Sequence, residues 1–221
     1  MILEIKDLLT TGEIVQLREM ASRMKFVDGR ASNSGFAEKV NLQADPSDKE
    51  AIESARILSA AMMRSRQFLD FVFPKRVLPP LLARYVPGMK YGPHADAALL
   101  ATPTGPLRSD LSSTVFLNTP ESYEGGELVV HLGARSVPIK LAAGAAVVYP
   151  STALHEVAPV RSGERLVGIT FIESHIPEEA DRDIIYELGE ISALEGANMH
   201  WANRMRLEVV RQNLTRRWSG R

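Results

Sequence analysis

The sequence predicts an α+β protein: a double-stranded β-helix (jelly-roll) core over residues 78–176, an N-terminal helical support region over 1–77 and a C-terminal helical extension over 177–221. Three observations predict it. Between Leu78 and Ser174 the residues fall into short alternating or β-branched runs broken by Gly, Pro and Ser, with no helical stretch among them, the texture of a sandwich or barrel. On either side, apolar residues recur at three- and four-residue spacing, the period of helices that cover a sheet. A chain of 221 residues is long enough to bury one such core together with its appendages.

Taken in order, Thr10-Thr11-Gly12-Glu13 offers a capping box ahead of a helix whose apolar face runs through Ile14, Leu17, Ala21 and Met24. Asp45-Pro46 opens a second helix, with Asp45 as N-cap, Pro46 in the first turn, and a stripe of Ile52, Ala55, Leu58 and Met62 continuing toward Phe68. Strands are expected at Leu81–Val86, His94–Leu99, Ser113–Asn118, Glu127–Leu132, Ser136–Leu141, Ala145–Tyr149, His155–Val160 and Leu166–Glu173. After Pro177 a helical stripe returns through Ile184, Ile185, Leu188 and Ile191, and a second runs through Leu207, Val210, Leu214 and Trp218, with Gly196 between them.

Bulk composition narrows the function. The formal charge of −1 provides no global field for nucleic acid or an acidic membrane, so neither is expected as a partner and a charged ligand must be handled locally. With no cysteine, thiolate metal sites, disulfides and cysteine nucleophiles are excluded, and a metal must use His, Asp or Glu. The start of the chain lacks a basic stretch followed by an apolar core, and no apolar run reaches spanning length, so a cytoplasmic location is expected. The arginine-rich end, Arg204 to Arg221, reads as a solvated helix face.

The chemistry-bearing residues are His94-Ala95-Asp96, His155 and Arg165. His-x-Asp alone is a weak signal that chance supplies readily. On an extended strand, however, residues two apart share a face, and one further imidazole, His155, completes the 2-His-1-carboxylate set that leaves positions open on non-haem Fe(II). Arg165 follows a turn at Arg161-Ser162-Gly163-Glu164 and opens the next strand. Aimed inward, its guanidinium needs an anion, and a dicarboxylate such as 2-oxoglutarate would supply one. A structural ion pair with Glu127, Glu156 or Glu164 is the bland alternative. His131, His175 and His200 read as structural histidines, and Arg108 and Asp110 as loop caps or substrate contacts.

Arg84-Tyr85-Val86-Pro87-Gly88-Met89-Lys90-Tyr91-Gly92-Pro93-His94-Ala95-Asp96 resembles the metal-binding strands of the prolyl-4-hydroxylase-like Fe(II)/2-oxoglutarate dioxygenases. Gly125-Gly126-Glu127-Leu128 resembles the strand that follows in them, and Leu154-His155-Glu156-Val157 with Gly163-Glu164-Arg165 resembles their distal histidine and co-substrate arginine. The resemblance spans about residues 78–176. With Arg108-Ser109-Asp110-Leu111-Ser112 and the helical extension, the chain is most similar to the PKHD-type hydroxylases.

The resemblance implies that His94, Asp96 and His155 bind Fe(II) and that Arg165 holds the distal carboxylate of 2-oxoglutarate. It implies Tyr85 as a hydrogen-bond donor to that co-substrate. Where many relatives have a tyrosine, this chain has Phe116, and Thr114 on the same face is the substitute considered. The implied reaction couples decarboxylation of 2-oxoglutarate by O2 to hydroxylation of a carbon in an amino acid, peptide or small metabolite, with ascorbate as a further cofactor. Two other classes remain: a cupin-like metalloenzyme without a keto acid, and a noncatalytic jelly-roll binding module. The partner expected is a small-molecule or peptide substrate, and the terminal helices serve the core, a homodimer contact, or both.

Overall fold

The computed structural model describes residues 1–32 and 38–219. Its α-helices are α1 (Thr11–Arg23), α2 (Lys49–Arg64), α3 (Arg66–Val72), α4 (Glu179–Glu195) and α5 (Trp201–Trp218). Between the N-terminal and C-terminal helices lie two main antiparallel sheets. The larger has the strand order Leu3–Ile5, Ala146–Pro150, Leu111–Phe116, Arg165–Ser174, Leu81–Tyr85, Leu42–Ala44, Phe26–Asp28, with Pro74–Val77 also paired to Arg165–Ser174. The smaller runs Arg135–Ile139, Leu128–Leu132, His155–Val157, Lys90–His94, Lys39–Val40.

Period-two alternation divides the apolar residues of the large sheet between two cores. Leu82, Leu111, Val115, Leu166 and Ile172 face outward and pack against Leu17, Leu58, Met62 and Phe68 of the N-terminal helices. Ala83, Phe116, Val147 and Val167 face inward, toward Leu128, Val130 and Val157 of the small sheet. Gly168 makes the helix–sheet approach possible, since a Cβ there would sit 2.8 Å from Leu58 Cδ1. The site therefore lies between the sheets, and the helices stiffen the large sheet from behind.

The capping box of α1 forms as the sequence predicts: Glu13 N–H donates to Thr10 Oγ1, and Thr10 N–H donates to the Glu13 carboxylate at 2.8 Å. Arg64, at the end of α2, donates to the same carboxylate at 2.6 Å and holds its pKa down to about 2, ahead of the Thr10 contributions. α2 begins later than expected. Asp48 is its N-cap, accepting from Glu50 N–H at 2.8 Å, whereas Asp45 accepts from Ser47 N–H and Lys25 Nζ in the turn before it. Ile52 lies off the buried face, which is formed by Ala51, Ser54, Ile57, Leu58, Ala61 and Met62.

Residues 1–77 also contain the short strands Leu3–Ile5, Phe26–Asp28, Lys39–Val40 and Leu42–Ala44, which join both sheets. Strands of two or three residues complete no repeat of an alternating pattern, so periodicity does not reveal them. At the other end α4 buries Ile185 and Tyr186, whose ring meets Phe71 edge-on at 5.1 Å. α5 buries no residue, so the stripe of Leu207, Val210, Leu214 and Trp218 does not reach the core.

Candidate metal centre

The first ligand pair departs from the geometry expected. His94 is the last residue of the strand Lys90–His94, and Asp96 lies in irregular chain beyond it, so the two do not share a strand face. They converge although the strand ends at His94. His155 comes from the adjacent strand, directly opposite His94 in the ladder, with ring centroids 4.3 Å apart. The ligand atoms of His94, Asp96 and His155 all lie within 4.8 Å of one another.

Each ligand is oriented by a group behind it. His94 Nδ1 lies 2.8 Å from Gly92 O, and His155 Nδ1 lies 2.9 Å from Ala153 O. A carbonyl only accepts, so both Nδ1 atoms carry the proton and both Nε2 atoms present a lone pair. Those Nε2 atoms stand 4.0 Å and 3.8 Å from the same oxygen, Asp96 Oδ1, too far for hydrogen bonds and in keeping with a shared ion. The other oxygen, Asp96 Oδ2, accepts from Ser112 Oγ. Behind Ser112 is a chain of buried hydroxyls: Ser109 Oγ donates to Ser151 Oγ at 2.7 Å, and Ser151 Oγ lies 2.7 Å from Ser112 Oγ. Because Ser109 donates to Ser151, the chain runs toward the carboxylate, with Ser151 donating to Ser112.

Burial lowers the His94 pKa to about 4, assisted by His155 and opposed by the Gly92 carbonyl and Asp96. The imidazole is thus neutral at physiological pH, the form that binds metal. Tyr91 stacks on it at 3.6 Å and 17°. Two imidazole nitrogens and a carboxylate oxygen are donors that fit Fe(II), and all three residues line a cavity of about 460 Å³.

Arg165 lines the same cavity. It is 1% exposed, with its guanidinium 5.0 Å from the Tyr85 ring centroid and 5.7 Å from that of Phe116. The bland ion pairs do not form among the described residues: Glu164 bonds Arg84 at 3.2 Å, Glu156 lies 3.7 Å from His131 Nε2, and Arg165 Nε has no hydrogen-bond partner. Gly126 explains how the arginine fits. It has φ +66°, and a Cβ there would lie 3.1 Å from Arg165 Cδ. Tyr85 is 3% exposed and its hydroxyl accepts from Asn41 Nδ2 at 3.1 Å, leaving its own proton free to donate. Thr114, 2% exposed, also lines the cavity.

Arg108 and Asp110 form a paired brace, Nε to Oδ1 at 2.6 Å, and Asp110 Oδ2 accepts from Ser174 N–H at 2.8 Å, an arrangement that caps the loop. A larger, open groove of about 620 Å³ beside α1, bounded by Arg18, Arg84 and Glu164, gathers no comparable donor set. Sequence reasoning missed the hydroxyl chain, and it missed Lys39, Asn41 and Gln43, which are buried in the cavity wall. The available signal was the inverted alternation of Lys39-Val40-Asn41-Leu42-Gln43, polar inward and apolar outward.

Residues 80–173 match the family described as the 2OG-Fe(II) oxygenase superfamily. A PKHD-type hydroxylase of Sphingopyxis alaskensis is 48% identical over 97% of this chain and 98% of its own length. Among solved structures, a prolyl-4-hydroxylase of Pseudomonas putida superposes with TM-score 0.53 at 19% identity, over 78% of this chain and 92% of that one. A Trichoplax adhaerens prolyl hydroxylase, solved with a hypoxia inducible factor peptide fragment, gives 0.57 at 16% identity over 83% and 86%. These two share its fold; the near-full-length identity to the Sphingopyxis protein carries the assignment, and the chain belongs to the PKHD-type hydroxylases of the 2OG-Fe(II) oxygenase superfamily.

Proposed function

We propose that this oxygenase holds Fe(II) with His94, Asp96 and His155, anchors 2-oxoglutarate through Arg165, and hydroxylates an aliphatic carbon of an amino acid, peptide or small metabolite. The observation that carries the reading is Arg165: a fully buried guanidinium, aimed into the cavity that holds the ligand triad, with no carboxylate partner among the described residues. Leaving such a charge uncompensated in an apolar core is costly, and a ligand carboxylate offsets it with paired, charge-assisted hydrogen bonds.

When bound, iron and keto acid together supply the oxidative decarboxylation to succinate and the oxidant for an unactivated C–H bond. The chain's own residues orient and exclude. Gly92 O and Ala153 O fix the two imidazoles, and Ser112 occupies one Asp96 oxygen so that the other faces the site. Arg165 takes the far carboxylate, with the Tyr85 hydroxyl and Thr114 as neighbouring donors. Leu128 and Val157, both buried, give the same cavity apolar surface.

Ascorbate is the reductant we assign for turnovers that leave the iron oxidised, and the cytoplasm is the compartment. Among the described residues no helix is long and apolar enough to cross a membrane. A homodimer would use α4 and α5, where Leu194, Trp201 and Val209 are exposed.

The test is anaerobic addition of 2-oxoglutarate to the Fe(II)-loaded protein, followed by oxygen. A charge-transfer band and then succinate are expected. In Arg165→Glu the band is lost at 2-oxoglutarate concentrations that saturate the wild type, while Co(II) still binds. A band that survives charge reversal would instead favour a cupin-like metal site that needs no keto acid.

A further inference from the structure

One wall of the cavity is built from an unusual strand. Lys39, Asn41 and Gln43 are 4%, 3% and 6% exposed, whereas Val40 between them is 42% exposed. A strand over an apolar core normally turns its apolar residues inward; this one turns polar residues inward, and all three line the cavity that holds the triad and Arg165. The segment also changes sheets. Lys39 pairs opposite Tyr91 in the small sheet and Gln43 opposite Ala83 in the large one, so the run crosses from one sheet to the other with Asn41 at the crossing.

The three side chains have different duties. Asn41 donates to the Tyr85 hydroxyl on the Arg165 side. Lys39 sits toward the metal, its ammonium 5.0 Å from the centroid of the Tyr91 ring that stacks on His94. Gln43 makes no side-chain hydrogen bond among the described residues, although it is almost wholly buried. Its carboxamide lines the cavity, so both its donor and its acceptor are available to a ligand's polar group. Aliphatic groups share the cavity lining with it: Leu78, Leu81, Leu100 and Ile169.

Charge narrows the ligand further. The described lining carries two cations, Lys39 and Arg165, against one carboxylate, Asp96. A divalent ion and a dicarboxylate keto acid cancel each other, so the charges of the described lining still sum to +1 when both are bound, and Lys39 is the cation that neither of them needs. The volume of about 460 Å³ is near the lower end for small-molecule pockets and must also hold the keto acid.

Resting on the function proposed above, we infer that the primary substrate is a small aliphatic carboxylate, its carboxylate held by Lys39, a neutral polar group held by Gln43, and its alkyl part laid against Leu78, Leu81 and Ile169 beside the metal.

The experiment uses the anaerobic Fe(II)·2-oxoglutarate protein and reads the shift of its charge-transfer band, so no turnover is needed. The probes are L-amino acids and short monocarboxylic acids, each beside its primary amide. At least one carboxylate is expected to shift the band with an affinity tenfold or more above its amide, the size of one charge-assisted hydrogen bond, ~1.5–3 kcal/mol. Lys39→Met abolishes that preference, Lys39→Arg keeps part of it, and Gln43→Leu weakens acid and amide alike. Affinities for Co(II) and 2-oxoglutarate remain near wild type in all three.

Amides that bind as tightly as acids, or no response to any carboxylate, would overturn the inference. So would a loss of 2-oxoglutarate affinity in Lys39→Met, which would make Lys39 a keto-acid ligand. Failure of the wild type to form the band at all would instead remove the oxygenase reading, which keeps the two failures distinct.

Discussion

Replacing Ser112 by alanine tests how the metal site is held. The hydroxyl donates to Asp96 Oδ2 and nothing else in the described structure donates to that oxygen. Its loss removes one hydrogen bond to a charged acceptor, ~1.5–3 kcal/mol, and a group that supports a metal ligand from behind is usually worth about 10–100-fold in affinity, ~1.4–2.7 kcal/mol. The two routes agree, so Co(II) affinity should fall by one to two orders of magnitude in Ser112→Ala. Ser151→Ala removes only the next hydroxyl, leaving the Ser112 donor in place. Cooperative strengthening of about 10–30% per bond then predicts a loss of a few-fold at most. Co(II) titration followed by visible absorption gives both constants, and thermal unfolding of the metal-free proteins separates affinity from folding. Equal effects of the two serines, or an unchanged Ser112→Ala constant, would refute a directional chain that ends on Asp96.

Three further outcomes follow from the packing and the charges. Gly126→Ala puts a Cβ 3.1 Å from Arg165 Cδ at φ +66°, so isothermal titration should show weakened 2-oxoglutarate binding with Co(II) binding retained. Leu58→Ala opens the helix–sheet seam above Gly168 and should cost ~2–5 kcal/mol in denaturant unfolding; a loss below about 1 kcal/mol would mean the seam collapses freely. Glu13 has a folded pKa of about 2 against an ordinary 4.5, so between those values the unfolded chain binds the extra proton and stability falls as pH falls. The gap in melting temperature between wild type and Glu13→Gln should be full above pH 4.5 and vanish near pH 2.

The core strands were legible because the inward and outward faces of the large sheet are both apolar yet separated by turn residues, as at Gly144 before Ala146–Pro150 and at Gly163 before Arg165–Ser174. The triad was legible as an ordered set of residue types. Its geometry was not: same-face placement of His94 and Asp96 presumed that the strand continued, whereas it ends at His94. The Ser109–Ser151–Ser112 chain could not be seen, since a serine in a strand carries no periodic signature and Ser151 is brought in only by pairing of Ala146–Pro150 with Leu111–Phe116. Lys39, Asn41 and Gln43 left only their alternation as a signal, on strands too short to stand out, and an alternation of polar and apolar residues does not say which face is inside.

Strand register explains why one end of this cavity is fixed and the other is free to specialise. His94 stands opposite His155, and Tyr85 opposite Arg165, so the reactive pairs are set by backbone ladders whose slippage would turn every side chain to the wrong face. Their supports are backbone carbonyls, a glycine and a hydroxyl chain. The loop after Leu100 is tied down by Arg76, which donates to Thr102 Oγ1 at 2.8 Å and Pro106 O at 2.9 Å. Among the described residues, Lys39 and Gln43 are buried polar groups of the cavity wall that are neither metal ligands nor hydrogen-bonded to one. Changes of substrate should therefore track Lys39 and Gln43, and exchanges at those two positions should alter which acid binds before they alter whether iron does.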